Sequence, residues 1–245
     1  MERLASISIV IPAYNEERRL PATLTSILGY LGSRDWAGWE IVVVNDGSKD
    51  ATAAVAAQLA AVHPGIRILE NPGNRGKGYS VRHGMLEAKG DWVLFSDSDL
   101  SAPIEELDKL VAAAREQGAS VAIGSRALDR RLIEVRQSPF REVAGRIFNL
   151  LMRAATGLRF ADTQCGFKLF ERRAAQEVFR RQRIERWGFD AELLFIARRL
   201  GYKTIEVPVR WSHSEGTKVS MFGDSLNMFL DLLRIRRNQL LGWYR

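Results

Sequence analysis

Cysteine and histidine are scarce in this sequence of 245 residues, which contains one cysteine and three histidines. A single cysteine, Cys165, excludes a disulfide within the chain and a cysteine-rich zinc site, and it fits a reducing compartment. The sequence also lacks any apolar run that approaches the roughly 20 residues of a transmembrane helix. Acidic residues closely follow the first, short apolar stretch, which is atypical of a signal peptide. We therefore expect a cytoplasmic protein without a transmembrane helix.

The composition is that of an ordinary globular protein, with 46% hydrophobic and 27% charged residues. These values exclude disordered and fibrous classes. The net charge of +7 is unevenly distributed, because the first 125 residues are net acidic and the remainder is net basic. Basic stretches are typical of proteins that bind nucleic acids, anionic membranes or phosphorylated ligands, although many such charges only form a solvated helix face. Charge alone does not choose among these partners.

Strand-like and helix-like segments alternate through the first half of the chain, a rhythm that predicts a parallel sheet with crossover helices. The predicted strands are 7–11, 40–45, 66–70, 92–95 and 120–124, and the predicted helices are 17–30, 50–62, 76–88 and one that begins near Pro103. No repeat and no long linker divides the sequence. We therefore expect a single domain over residues 1–245.

Two carboxylates, Asp97 and Asp99, follow the fourth predicted strand with one residue between them. Because alternate residues of an extended segment point the same way, they could converge beyond the carboxyl edge of the sheet, where open α/β sheets bind ligands. Divalent cations with phosphate oxygens are their natural partners. A solvated Asp-Ser-Asp turn is the alternative. Asp46, at the end of the second strand, is a candidate acceptor for a nucleobase or ribose, or a second contact for the metal.

The loop 71–78 combines three glycines with two cations immediately before a predicted helix. Glycines let backbone amides approach a phosphate group, and the N-terminus of a helix favours anions. The loop matches neither a P-loop nor the fingerprint of dinucleotide-binding proteins, so a plain flexible loop is the alternative. Lys77 and Arg82 could share one side of the helix and face the same sheet edge as the two aspartates.

Several motifs occur together in an order and spacing that resembles glycosyltransferase family 2. The first half contains PAYNE at 12–16, NDGSKD at 45–50, NRGKG at 74–78 and DSD at 97–99. The second half resembles the polyprenyl- and dolichyl-phosphate branch of that family through GSR at 124–126, DTQCGFKLF at 162–170, WGFDAELL at 187–194 and EVPVRWSHSEGTK at 206–218. The resemblance covers almost the whole chain. It implies a GT-A fold, a Rossmann-like and mostly parallel sheet flanked by helices, with a basic helical C-terminal portion.

The resemblance also implies an activity, the inverting transfer of glucose from UDP-glucose to a polyprenyl or dolichyl phosphate at the cytoplasmic face of a membrane. Mg²⁺ or Mn²⁺ would assist departure of the nucleoside diphosphate. Residues 1–125 would bind the nucleotide sugar, 126–218 the acceptor, and 219–245 would form an amphipathic helix that can contact the membrane. Three alternatives stay open: a GDP-mannose-dependent or other family 2 transferase, a non-catalytic nucleotide-sugar binder, and a basic nucleic-acid-binding module. The last is disfavoured because no binding motif is present, so we expect no nucleic acid partner.

The matched motifs assign the site residues. The nucleotide sugar is assigned to Pro12, Tyr14, Glu16, Asp46, Gly76, Lys77, Arg82, Asp97, Ser98 and Lys218, the metal to Asp97 and Asp99, the acceptor phosphate to Arg126, Arg141 and Lys168, and catalysis to Asp99 and Asp190. A phosphate acceptor is already anionic near neutral pH, so a general base is not compulsory and Asp190 acts either as a base or as an orienting group. For Asp190 a helix cap is the alternative, and its neighbour Glu192 is expected on a solvated face.

Two segments are candidates for membrane contact, the predicted helices 140–155 and 221–241. The second places Phe222, Leu226, Phe229, Leu230 and Leu233 at helical spacing, and arginines and the terminal residues Trp243, Tyr244 and Arg245 follow. An apolar stripe with a basic flank is typical of an interfacial helix. The alternative is a stripe that packs on the protein core. Membrane contact is favoured for the aromatic tail and for helix 140–155.

Overall fold

The computed structural model describes residues 4–135, 139–213 and 223–245. Its strands are β1 Ile7–Ala13, β2 Trp39–Asn45, β3 Ile66–Glu70, β4 Trp92–Ser96, β5 Val121–Ser125, β6 Ile133–Val135, β7 Phe167–Glu171, β8 Thr204–Pro208 and β9 Trp211–Ser212. Its helices are α1 Leu20–Gly32, α2 Thr52–Val62, α3 Lys77–Glu87, α4 Leu107–Gln117, α5 Pro139–Thr156, α6 Arg172–Arg181, α7 Phe189–Arg199 and α8 Gly223–Leu240.

A seven-stranded sheet with the order β3-β2-β1-β4-β7-β5-β8 forms the centre of the molecule. The five strands of the first half run in one direction, as predicted, and β8 pairs parallel with β5. The exception is β7, which lies antiparallel between β4 and β5 and sets Lys168 opposite Phe95 and Ile123. The mostly parallel sheet is thus confirmed. The second half of the chain contributes a strand to the middle of the sheet.

The sheet is buried on both faces, which is why its strands are continuous runs of Val, Ile and Leu. Side chains alternate between the faces, so that Ile9 and Ile11 pack with α1, α2 and α4, whereas Val10 packs with α3 and the helices of the second half. The two faces therefore hold separate apolar clusters, one on each side of the sheet.

The carboxyl ends of β1, β2, β4 and β5 lie along one edge of the sheet. Because β7 runs the opposite way, its beginning lies at the same edge, which brings the segment 162–166 beside the end of β4. This edge gathers the segments 12–16, 45–50, 97–101 and 162–166, and it is the position at which open α/β sheets bind ligands.

Both helices that were candidates for membrane contact are present, as α5 and α8, and they pack beside each other. In the segments that the structure describes, no helix has the length and apolar character needed to cross a membrane. Of the predicted stripe, Phe222 and the side chain of Leu226 lie outside the described residues.

Candidate active site

Asp97 and Asp99 lie in a turn that directly follows β4. The turn is closed by hydrogen bonds from Leu100 N to Asp97 O, at 3.2 Å, and from Ser101 N to Asp99 Oδ1, at 2.9 Å. Leu100 adopts a φ of 45° within it. The two carboxylates therefore do not extend the strand, and the turn geometry that was the alternative is correct for the backbone. Arg19 lies near this turn, and its pKa is raised first by its hydrogen bond to Glu16 and to a smaller extent by the charges of Asp99 and Asp97.

Four charged side chains of alternating sign meet beside this turn. Lys77 Nζ lies 2.6 Å from Asp97 Oδ1, and Lys168 Nζ donates to Asp190 Oδ1 and to the carbonyl of Cys165. Burial works to lower the pKa of Lys77, but Asp97 and Asp190 outweigh it and the pKa lies above its usual value. Burial also raises the pKa of Asp190, against the opposing charges of Lys168 and Lys77. The two lysines thus compensate the charge of Asp190, which burial would otherwise disfavour, and Lys77 also pairs with Asp97.

Lys168 is completely buried, with 0% of its side chain exposed. We expected its ammonium group to bind the acceptor phosphate. In the structure the group contacts Asp190 inside the protein, because the antiparallel strand β7 lies in the middle of the sheet. The role that this geometry supports is to hold and charge-compensate Asp190.

Asp46 organises the glycine loop, which we define as residues 71–78. Its carboxylate accepts hydrogen bonds from Arg75 N at 2.9 Å, Gly76 N at 2.8 Å and Asn71 Nδ2 at 2.8 Å, and the residue is 3% exposed. These donors occupy the carboxylate that we expected to face a nucleobase, a ribose or the metal. The structure therefore shows Asp46 fixing the loop that carries Lys77.

Arg126 forms a two-pronged ion pair with Asp162, at 2.6 Å and 2.8 Å, and its guanidinium lies over the ring of Trp211. Although burial opposes ionisation, Arg126 holds the pKa of Asp162 at about 2. The pair fixes the segment 162–166 at the sheet edge. Arg126 keeps 24% of its side chain exposed, so it can still meet an anion there.

The remaining predicted residues fall into three groups. Pro12, Tyr14, Glu16 and Ser98 lie at the same sheet edge, where Glu16 pairs with Arg19 and the Ser98 carbonyl accepts from Thr23 Oγ1. Arg82 Nε donates to the carbonyl of Phe179, a contact that joins α3 to α6. Arg141 lies in α5, and its side chain and the whole of Lys218 fall outside the described residues.

Glu192 is buried, contrary to the expectation of a solvated face. It accepts from Arg183 N and Ile184 N and from the hydroxyl of Tyr244, and burial raises its pKa to about 6. The terminal Tyr244, expected at a membrane surface, is 2% exposed. The sequence signal for its burial is that the residues of α7 around Glu192 are apolar apart from Asp190, since a helix that is apolar on nearly all sides lies in the core.

The residues present suit a hard divalent cation. Asp97 and Asp99 supply carboxylate oxygens, and Mg²⁺ is commonly held by one or two carboxylates together with substrate phosphates and water. Within the described ranges, no group of three His, Cys, Asp or Glu side chains is placed to hold a metal. The diphosphate and water would therefore complete the coordination.

Gly166 is a residue of the site that our residue assignments missed. A methyl group in its place would lie 2.1 Å from Asp97 Oδ2, so Gly166→Ala is expected to displace this carboxylate. We expect kcat/KM to fall by about tenfold to a hundredfold, since a misplacement of about 1 Å in an active site costs that much. Steady-state kinetics measure the effect. Gly29→Ala is the matched control, because a methyl group there meets nothing within 4 Å; equal activity of both variants would contradict the prediction.

The model of the family described as glycosyl transferase family 2 matches residues 8–179, which include β1 to β5, β7 and the segments of the sheet edge. The chain belongs to glycosyl transferase family 2.

Its relatives within the family extend the match to nearly the full chain. A dolichyl-phosphate β-glucosyltransferase of Trichomonas vaginalis is 40% identical over 240 residues, which are 94% of this chain and 72% of the relative. A dolichyl-phosphate β-glucosyltransferase of Drosophila melanogaster is 40% identical over 252 residues, covering 98% and 77% of the two chains. This family 2 member is therefore a glycosyltransferase.

Among solved structures, the glucosyl-3-phosphoglycerate synthase of Mycobacterium tuberculosis in complex with Mn²⁺, UDP and phosphoglyceric acid superposes with a TM-score of 0.64. It is 20% identical, and the alignment covers 98% of this chain and 78% of that one. At this identity the likeness establishes the fold alone. The family 2 enzyme has the GT-A fold that the sequence motifs implied.

Proposed function

We propose that this glycosyltransferase transfers glucose from UDP-glucose to a dolichyl or polyprenyl phosphate with the aid of Mg²⁺ or Mn²⁺. The observation that carries the proposal is the identity of 40% to dolichyl-phosphate β-glucosyltransferases over almost the whole chain. The charges at the sheet edge support it, since cations stabilise a nucleoside diphosphate and a phosphate acceptor and carboxylates can hold the divalent metal.

We assign the donor to residues 1–125. Asp97 and Asp99 would hold the divalent cation, which supplies charge stabilisation for the departing diphosphate. The solved complex of a neighbour with Mn²⁺ and UDP supports a divalent cation here. Lys77, which pairs with Asp97, lies where its ammonium group can contact a phosphate oxygen. Lys218, which lies outside the described residues, is assigned to the same diphosphate.

We assign the acceptor to residues 126–218. In the reaction, a phosphate oxygen of the acceptor forms a bond to the anomeric carbon while the bond from that carbon to the UDP oxygen breaks, and the electron pair leaves with UDP. The acceptor phosphate monoester is already anionic, so no proton has to be removed. Asp190 would therefore orient the acceptor or the sugar. Arg126 and Arg141 would meet the acceptor phosphate, and Lys168 would act only through Asp190.

We place the membrane at the surface formed by α5 and α8. On α5, Val143, Ile147 and Leu150 are each at least 54% exposed and recur at helical spacing. On α8, Phe229 and Leu233 of the predicted stripe are also exposed, whereas Leu232 and Ile235 pack on the core. An exposed apolar stripe on two adjacent helices suits the headgroup region of a bilayer, where the lipid chain of the acceptor resides.

The proposal is tested by incubating the protein with a panel of nucleotide sugars and a polyprenyl phosphate, in vesicles and as a short-chain analogue in solution. We expect a lipid product with the mass of glucosyl polyprenyl phosphate from UDP-glucose and none after EDTA, with turnover restored by Mn²⁺ or Mg²⁺. A mannosyl product from GDP-mannose would instead support the alternative transferase. No lipid product with any donor would overturn the acceptor assignment, and equal rates with both forms of acceptor would count against the membrane surface.

A further inference from the structure

The segment 182–186 lies directly against the glycine loop and the start of α3. The amide of Tyr79 donates to the carbonyl of Glu185 at 2.9 Å, and Gln182 Nε2 donates to the carbonyl of Gly78 at 2.9 Å. Gln182 is 1% exposed, so these contacts are shielded from water. The segment and the loop therefore form one hydrogen-bonded unit.

Two glycines of the loop make this contact too close for any side chain. A methyl group on Gly76 would lie 2.7 Å from the carbonyl oxygen of Glu185, and one on Gly78 would lie 2.7 Å from that of Ile184. Lys77 stands between these glycines. A movement of the segment would therefore move the backbone that carries Lys77, because close-packed contacts transmit displacement.

Glu192 holds the segment from the other side. Its carboxylate accepts from the amide of Arg183 at 3.1 Å, from the amide of Ile184 at 2.8 Å and from the hydroxyl of Tyr244 at 2.5 Å. Glu192 is 0% exposed. Since hydrogen bonds to a buried charged group are strong, the three donors fix the carboxylate and the carboxylate fixes the segment.

The last residues of the chain are folded back to reach this carboxylate. The hydroxyl of Tyr244 accepts from Asn238 Nδ2 at 3.1 Å, and its ring meets that of Phe195 edge to face. In addition, Arg181 Nε donates to the carbonyl of Arg245 at 2.9 Å. The chain end is thus built into the protein beside α6 and α7.

We propose that Tyr244 is a positioning residue of the donor site: through Glu192, its hydroxyl holds segment 182–186 against the glycine loop and so fixes Lys77. The inference rests on the proposed function only in giving the glycine loop to the donor. A continuous series of contacts connects Tyr244 with Glu192, Glu192 with segment 182–186, and that segment with the glycine loop that carries Lys77. Removal of the Tyr244 hydroxyl should therefore have a measurable effect on the backbone of the glycine loop.

The test is Tyr244→Phe, which keeps the buried ring and removes the hydroxyl. We expect the backbone amides of peptides covering 75–80 and 182–186 to exchange with deuterium about tenfold faster, the effect of losing one hydrogen bond to a charged group. With the sugar donor that supports turnover, KM for that donor should rise by a similar factor, while kcat changes by less than about twofold, because Tyr244 touches no reacting group.

Tyr30→Phe is the matched control, since Tyr30 is also buried and donates to a carboxylate, Asp108, at 2.8 Å on the opposite face of the sheet. A general loss of stability would raise exchange in both variants equally, and that result would overturn the proposal. Unchanged exchange at 75–80 in Tyr244→Phe would overturn it as well. Faster exchange there in a protein that transfers no sugar would support the role of Tyr244 and reject the proposed function instead.

Discussion

Replacing Asp99 by alanine is expected to lower kcat/KM by about 10²–10³, the size of effect seen when a group that stabilises developing charge is removed. Asp99 lies in the turn after β4, where one carboxylate oxygen accepts from Ser101 N and the other can face a cation. The substitution removes that turn hydrogen bond at a cost of about 1 kcal/mol in the free energy of unfolding. The protein should therefore stay folded while it loses turnover.

The measurement combines steady-state kinetics with a titration of nucleotide binding at increasing Mn²⁺. In the unchanged protein, Mn²⁺ should tighten binding of the nucleotide, and in Asp99→Ala this dependence should be lost. Asp91→Ala is the matched control, because Asp91 precedes the same strand at its opposite end and bonds to Ser6. Equal activity of the Asp99→Ala and Asp91→Ala proteins would show that Asp99 takes no part in the reaction.

The strands of the first half could be predicted from sequence because each is a short apolar run between turn-forming residues. Because the carboxyl ends of parallel strands share one edge of the sheet, the sequence also predicted that the loops after β1, β2 and β4 lie together. The insertion of β7 could not be predicted by this reasoning. Its five residues, FKLFE, mix apolar and charged side chains as β3 does, and only pairing with β4 and β5 reveals their direction.

That insertion explains why the burial of Lys168 was not predicted. A lysine is almost never fully buried unless it is paired, so sequence reasoning places it at the surface. Here Asp190, 22 residues later, is the partner, and a contact at that separation leaves no mark in the local pattern. The same holds for Glu192 and Tyr244, which are 52 residues apart and meet inside the protein. Sequence motifs thus pointed to the charged groups at the sheet edge, whereas the fold determines which of these groups pair with each other.

The buried pair of Lys168 and Asp190 leads to the second large effect. Lys168→Met is expected to lower the free energy of unfolding by about 3–5 kcal/mol, because removal of one partner leaves an uncompensated buried charge. Lys77 also acts on Asp190 but already pairs with Asp97, so it compensates only in part. Urea denaturation at pH 7 measures the change. Arg131→Met is the control, since its pair with Asp129 is at the surface and should change stability by less than about 0.5 kcal/mol.

A double variant separates the stability of the pair from its function. Lys168→Met with Asp190→Leu replaces both charges by apolar groups, and such replacements of buried pairs are often neutral or stabilising, so most of the lost stability should return. The double variant should show no turnover, because the carboxylate proposed to orient the substrate is gone. A Lys168→Met protein as stable as its parent would contradict the buried pair. Turnover by the double variant would show that Asp190 stabilises the fold and is not needed for the reaction.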